Sequence, residues 1–155
     1  MNTTDNWLVH DHGEYEELLS HCREAVESED WESVKHIFTE FIQRLKAHVD
    51  LEEQVLYPAY ESKSAAPKEP TDSLRHEHDK LIQYLRGMLP ICSTRNSEPF
   101  LECLVEFEKL LIKHHEKEED IFLPMAGLIL QDEREELLRK IREFDPSKSK
   151  RKWDI

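Results

Sequence analysis

The sequence predicts an all-α protein: an antiparallel up-down four-helix bundle of two pseudo-symmetric helical hairpins, with a short extra C-terminal helix. Three observations lead there. Helix-favouring Glu, Leu, Lys and Arg dominate, while only 3 glycines interrupt 155 residues. Apolar residues recur at steps of three and four through four long segments, separated by stretches rich in helix breakers. Residues of the same type also recur at a constant offset of 66 between the two halves of the chain.

The first helix is expected from about Asp5 to Glu27, with Leu8, His12, Tyr15, Leu19, Cys22 and Val26 on one face. Ser28 and Glu29 break it, and Asp30 is a natural N-cap for the second. That helix runs to about Glu61 on a stripe of Val34, Ile37, Phe38, Phe41, Leu45, His48, Glu52 and Val55, with Pro58 bending or ending it. Residues 62–70 (SKSAAPKEP) read as a loop. The third helix is expected to start with Thr71 as N-cap and to present Leu74, His78, Leu81 and Leu85. Pro90 to Pro99 reads as the next loop. The fourth helix carries Leu101, Leu104, Leu111, His114, Glu118 and Ile121, with Pro124 placed like Pro58. A shorter amphipathic helix is expected from about Gln131 to Phe144.

Residues 1–145 thus form one domain, and 146–155 form a basic, Ser-containing tail expected to be disordered. Its Lys148, Lys150, Arg151 and Lys152, beside Trp153, read as a solvated run before they read as a dock for an acidic partner. No apolar stretch is long enough to span a membrane, and the N-terminus has no basic-then-apolar secretory pattern. A formal net charge of -13 argues against nucleic acid as a partner. Cys22, Cys92 and Cys103 form no CxxC pair and read as reduced thiols, so a cytoplasmic location is expected.

The repeat carries the chemistry. His10/His76, His12/His78, His48/His114, Glu52/Glu118, Glu53/Glu119 and Pro58/Pro124 all share the offset of 66, as do Phe41/Phe107, Leu45/Leu111 and Leu56/Phe122. His48 and Glu52 lie one turn apart on an apolar stripe, and so do His114 and Glu118. His12 and His78 sit on the apolar faces of the first and third helices. A single histidine on such a stripe is usually a hydrogen-bonded core residue. Six ligand-type residues in two matched sets point instead to metal, since two buried carboxylates without partners would cost several kcal/mol. Imidazole plus carboxylate in a bundle suits iron or manganese, with zinc as the further option; the absence of thiolate argues against a structural zinc site.

The segments HVDLEEQVLYP (48–58) and HHEKEEDIFLP (114–124) resemble the duplicated motif of the hemerythrin-like family, whose members carry an HHE cation-binding domain. Asp11-His12 and Glu77-His78 are similar to the starts of that family's first and third helices, so the resemblance covers about residues 5–130. It implies a non-haem di-iron centre, oxo- or hydroxo-bridged when oxidised, with manganese or zinc less favoured. Glu52 and Glu118 would bridge two iron ions, with His12 and His48 on one side and His78 and His114 on the other. The implied ligand is O2, NO or peroxide, bound, sensed or reacted with; a separate protein or redox partner is not specified. Family members also imply two alternatives: a di-iron enzyme of NO or peroxide detoxification or iron–sulfur centre repair, and a metal-stapled regulatory module.

Oxygen-carrying hemerythrins have a fifth histidine one turn from the equivalent of His78. Leu74 and Ile82 occupy those positions here, which counts against reversible oxygen carriage. Candidate additional ligands are Tyr15 and Glu16, one turn after His12, and His115 with Glu119, which repeat the i, i+4 spacing beside the main pair. Tyr15 reads first as a core tyrosine with its hydroxyl on a carboxylate, and Glu53 and Glu119 as residues outside the ligand set. His10 and His76, roughly 200° around the helix from His12 and His78, should face solvent, as should His21 and His36.

Overall fold

The computed structural model describes the backbone of residues 3–63, 66–148, 151, 153 and 155, and their side chains from His12 onward. Among the described residues the protein is all-helical, with no strand. The expectations for Leu8, His10, Lys150 and Lys152 fall on side chains outside the described set.

The first hairpin pairs α1 (Thr3–Glu27) with α2 (Trp31–Leu51), and the second pairs α4 (Glu69–Thr94) with α5 (Ser97–Lys117). Asp30 caps α2 as expected, accepting from the Ser33 backbone N–H at 3.3 Å and from its hydroxyl at 2.7 Å. The two hairpin turns obey the repeat. Glu29 and Arg95, 66 residues apart, both adopt left-handed backbone (φ 57° and 56°), and their N–H groups donate to Val26 and Cys92, again 66 apart. A left-handed residue closing a helix end is the usual stop signal.

Cross-hairpin contacts run antiparallel as well. His12 meets Glu119 and Arg23 meets Glu108 between α1 and the fourth helical run; Glu53 meets His78 and Glu61 meets Arg75 between the second run and α4. The repeat-related Phe41 and Phe107 touch edge to face at 5.6 Å, so the pseudo-twofold axis passes between them.

Both ligand-bearing runs contain a π-turn, Glu52–Leu56 after α2 and Glu118–Phe122 after α5. Each turn closes over five residues, with Tyr57 N–H donating to the Glu52 carbonyl and Leu123 N–H to that of Glu118. A proline follows at once, Pro58 in α3 (Tyr57–Glu61) and Pro124 in α6 (Leu123–Ile129). Proline lacks the N–H of a continuing ladder, and the widened turn takes up the displaced backbone.

The π-turns correct the expected stripes. Ile121 is 58% exposed, while its neighbour Phe122 is 1% exposed. Val55 is half-buried and Leu56 takes its core place. One extra residue in a turn advances the face by a residue, so a 3.6-residue period read past Glu52 or Glu118 names the wrong side chain.

Three boundaries also differ from expectation. Thr71 is not the N-cap: α4 begins at Glu69, and the buried Thr71 hydroxyl donates to Glu61 at 2.6 Å. The expected loop from Pro90 to Pro99 shrinks to Arg95 and Asn96. Pro90 stays inside α4, held between buried Met88 and the partly buried Ile91 and Cys92, and Pro99 falls in the first turn of α5, where no N–H is needed. The C-terminal amphipathic helix is α7 (Arg134–Glu143), which buries Leu137.

Within the segment expected to be disordered, the described residues Arg151 and Trp153 lie against the bundle. Trp153 is 4% exposed, packs into the main core and donates its indole N–H to Asp50 at 3.1 Å. Arg86 donates to its carbonyl, and Arg151 grips Glu53 and Asp79. Composition marked the segment as solvated, but one aromatic side chain and three acidic acceptors on the bundle outweigh that tendency. Lys148 is exposed, as expected.

Candidate metal centre

Along the second, third and fourth helical runs, the apolar packing divides into two clusters. The larger ends at Val49, Leu81 and Leu111; the smaller begins at Leu56, Leu74 and Phe122. Between them lie His12, His48, Glu52, His78, His114 and Glu118, all buried, with both glutamates 0% exposed. The helices place them there by the spacings read from the sequence: the i, i+4 pairs come from α2 and α5 and enter the π-turns at their glutamates.

The imidazoles turn their Nε2 atoms inward. Those of His48 and His78 each lie 3.3 Å from Glu52 Oε1. Those of His114 and His12 lie 2.7 Å and 3.9 Å from Glu118 Oε1. Each glutamate therefore faces one histidine from each hairpin. Two groups of ligand-type atoms lie within 4.8 Å of one another: Glu52, His78, His114 and Glu118, and His12, His48 and Glu118. Glu118 belongs to both.

The outward nitrogens are held by a second ring of carboxylates. His12 Nδ1 meets Glu119 at 2.8 Å, His78 Nδ1 meets Glu53 at 2.7 Å, and His114 Nδ1 meets Glu77 at 2.7 Å. A carboxylate accepts only, so Nδ1 carries the proton and Nε2 is left with its lone pair facing the inner glutamates. Lone pair would face lone pair. Consistent with this, neither oxygen of Glu52 or Glu118, nor His78 Nε2, has a hydrogen-bond partner of good geometry although all are fully buried. Burial pushes the Glu52 carboxyl up; only positive charge beside it, which His48 and His78 supply when protonated, holds it well below the usual carboxylate range. Buried anions opposed to buried acceptors are costly unless a cation lies among them. The donor set of neutral imidazole and carboxylate fits iron, manganese or zinc.

The outer ring is not symmetric. Arg151 donates to both oxygens of Glu53 at 2.7 Å. Burial raises the Glu53 carboxyl, yet His78 and Arg151 together hold it low. Its repeat partner Glu119 is pushed up by burial and by Asp120, Glu16 and Glu116. Glu77 is raised by burial, but His114 and Lys117 hold it down at about 2.

The additional candidates separate. Glu16 is exposed and joins neither group. Glu119 supports His12 from outside. Tyr15 is buried with its ring edge-on to His48 at 5.5 Å, and its hydroxyl donates to the Arg44 backbone carbonyl at 3.1 Å, where a carboxylate acceptor was expected. His115 is buried and stacks flat on His12, ring centroids 3.6 Å apart, but lies in neither ligand group. Leu74 and Ile82 pack in the core. His21, His36 and His76 are exposed, as expected.

Tyr57 escaped the sequence reading. It is fully buried, its ring lies parallel to that of His78 at 5.8 Å, and burial followed by the charge of Glu52 pushes its phenol well above the usual range. Five residues from Glu52 is roughly 140° around an α-helix, which hides it from a helical-period reading; only the π-turn brings it inward.

Two cavities open onto the centre and obey the repeat. One, of about 410 Å³ at the α4–α5 seam, is lined by His114, Glu77, Lys80, Lys113 and Lys117. The other, of about 490 Å³ on α1 and α2, is lined by His48 and by Glu14, Ala47 and Leu51, each 66 residues earlier than its counterpart, together with Ile141, Phe144 and Pro146.

No helix among the described residues is long and apolar enough to cross a membrane. No significant match was found among the curated proteins or the solved structures. The family model of the hemerythrin HHE cation-binding domain matches residues 3–126, most of the chain and all six inward ligand-type residues. On that match, with the helical bundle and its buried histidine–glutamate cluster, the chain belongs to the hemerythrin HHE cation-binding domain family.

Proposed function

We propose that this protein is a non-haem di-iron protein that binds or senses O2, NO or peroxide. The observation that carries the reading is the pair of buried glutamates whose oxygens face imidazole lone pairs. His12 and His48 would hold one ion, His78 and His114 the other, with Glu52 and Glu118 between them. Ferrous ions with open positions supply electrons or coordination sites to such small ligands.

The chain's own residues do the rest. Glu119, Glu53 and Glu77 fix the imidazole tautomers from outside. Tyr15, Leu45, Phe41, Phe107, Leu111 and Phe122 wall the site with apolar surface and exclude water. Tyr57 keeps its proton beside Glu52, its hydroxyl buried and without a hydrogen-bond partner of good geometry. The free cysteines fit a reducing compartment, and we place the protein in the cytoplasm.

The test is metal content of anaerobically purified protein, followed by the optical spectrum on admitting air. About two irons per chain, as in related carboxylate bundles, with new charge-transfer bands, is the expected result. No metal even after anaerobic reconstitution with ferrous iron would overturn it. Two manganese or zinc ions would keep the site and change its chemistry. Reaction that stops after one equivalent of oxidant separates binding or sensing from sustained turnover.

A further inference from the structure

The two cavities differ in charge and in lining, although the repeat makes them equivalent. At the α4–α5 opening three lysines line the wall. Lys117 is engaged by Glu77 at 2.9 Å and by Ser73, while Lys80 and Lys113 form no ion pair among the described residues. At the α1–α2 opening the matching positions are Glu14, Ala47 and Leu51. Glu14 there pairs with Arg44 at 3.2 Å, and the C-terminal segment adds apolar Ile141, Phe144 and Pro146 to the wall.

We infer that the α4–α5 cavity is the entrance by which a small inorganic anion reaches the centre, an inference that rests on the metal reading above. A chain of formal charge -13 repels anions over most of its surface. The cleft carries three lysines and one carboxylate, Glu77, which pairs with Lys117, so Lys80 and Lys113 leave it net positive between the low-dielectric walls of Leu81 and Leu110; such a cleft focuses the field and raises the local concentration of anions. The cleft ends on His114, whose Nε2 faces Glu118, so an anion held by Lys80 and Lys113 stands one imidazole away from the metal position. The opposite opening, where Glu14 is offset by Arg44, has no net charge to offer, so anions are drawn to the α4–α5 side.

The experiment uses the full-length protein loaded with cobalt(II), whose visible spectrum reports ligands arriving at the metal. Thiocyanate is the anionic probe and imidazole the neutral one, both mixed by stopped flow at about pH 8.5, where free imidazole is uncharged and lysine is not, and at several salt concentrations. For the wild type, thiocyanate association slows as salt rises and imidazole association does not. In the Lys80→Glu/Lys113→Glu variant, thiocyanate association drops about tenfold or more at low salt while imidazole association is unchanged. Lys80→Gln/Lys113→Gln falls between. Lys35→Glu/Lys46→Glu, with the same net charge but both changes away from the cavity, behaves as wild type.

Equal thiocyanate rates in wild type and the Lys80/Lys113 variants, or an equal drop in the Lys35/Lys46 control, overturn the inference while leaving the metal reading in place. Failure of the wild type to take up cobalt, or ferrous iron, overturns both.

Discussion

On the α4 side of the centre, His78 is backed by Glu53, and Glu53 is clamped by the guanidinium of Arg151 and held anionic. On the α1 side, His12 is backed by Glu119, which has acidic neighbours and a raised carboxyl, and His115 lies flat against the imidazole. The same contrast runs outward to the openings, one cationic, the other lined by the C-terminal segment. Duplication placed the ligand-type residues in equivalent positions. Single-copy elements, the C-terminal segment above all, made the two positions unequal. The difference teaches that a twofold ligand set does not imply twofold chemistry.

The largest break in the comparison is expected at Glu118, which belongs to both ligand groups whereas Glu52 belongs to one. Glu118→Ala should leave the protein with essentially no bound metal, while Glu52→Ala retains part of it, both read by elemental analysis after reconstitution. Equal retention would mean that the glutamates are equivalent and that the geometric asymmetry has no energetic counterpart.

Next in size is the part of the molecule that the repeat keeps alike. Phe122 and Leu56 are repeat partners that the π-turns bring into the core. Phe122→Ala should cost about 3–5 kcal/mol and Leu56→Ala about 2–5 kcal/mol. The exposed neighbour substitution Ile121→Ala should cost no more than about 0.5 kcal/mol. Urea unfolding checks the order; a costly Ile121→Ala would place the stripe back on a plain α-helical period.

The smallest effect sharpens the asymmetry itself. Arg151→Ala frees Glu53 and loosens the orientation of His78, for which a loss of about 10- to 100-fold in metal affinity is the usual scale. Release of ferrous iron to a chromogenic chelator should be biphasic in the wild type, and the variant should accelerate the slow phase alone. Arg151→Lys should recover only part, because an ammonium cannot reproduce the two-pronged contact. Acceleration of the fast phase instead would assign the tighter position to the His12 side.

Much of this was legible beforehand. The stripes located the long helices, Asp30 marked a cap, and the spacing of His48 with Glu52 and of His114 with Glu118 is a property of any α-helix that contains them. The inward placement of all six ligand-type residues follows from polar side chains standing where apolar ones are required. Thr71, Pro90 and Trp153 depart from expectation for one reason: capping and breaking tendencies amount to about 1 kcal/mol for a cap or a few for a proline, and burial of Met88 or Trp153 is of comparable size. Ile121 and Val55 were misread because a period of 3.6 fails across a five-residue turn.

By itself, then, the sequence determined the helical class, the doubled hairpin and the identity of the residues that converge, because periodicity and repeat are one-dimensional properties. Only the tertiary structure decided which carboxylate supports which imidazole, that Tyr57 and His115 turn inward, that Arg151 and Trp153 come back onto the bundle, and which opening is cationic. Those depend on residues far apart in the chain meeting through packing: Arg151 and Glu53 are 98 positions apart, and His12 and Glu119 are 107. No local pattern encodes such pairs.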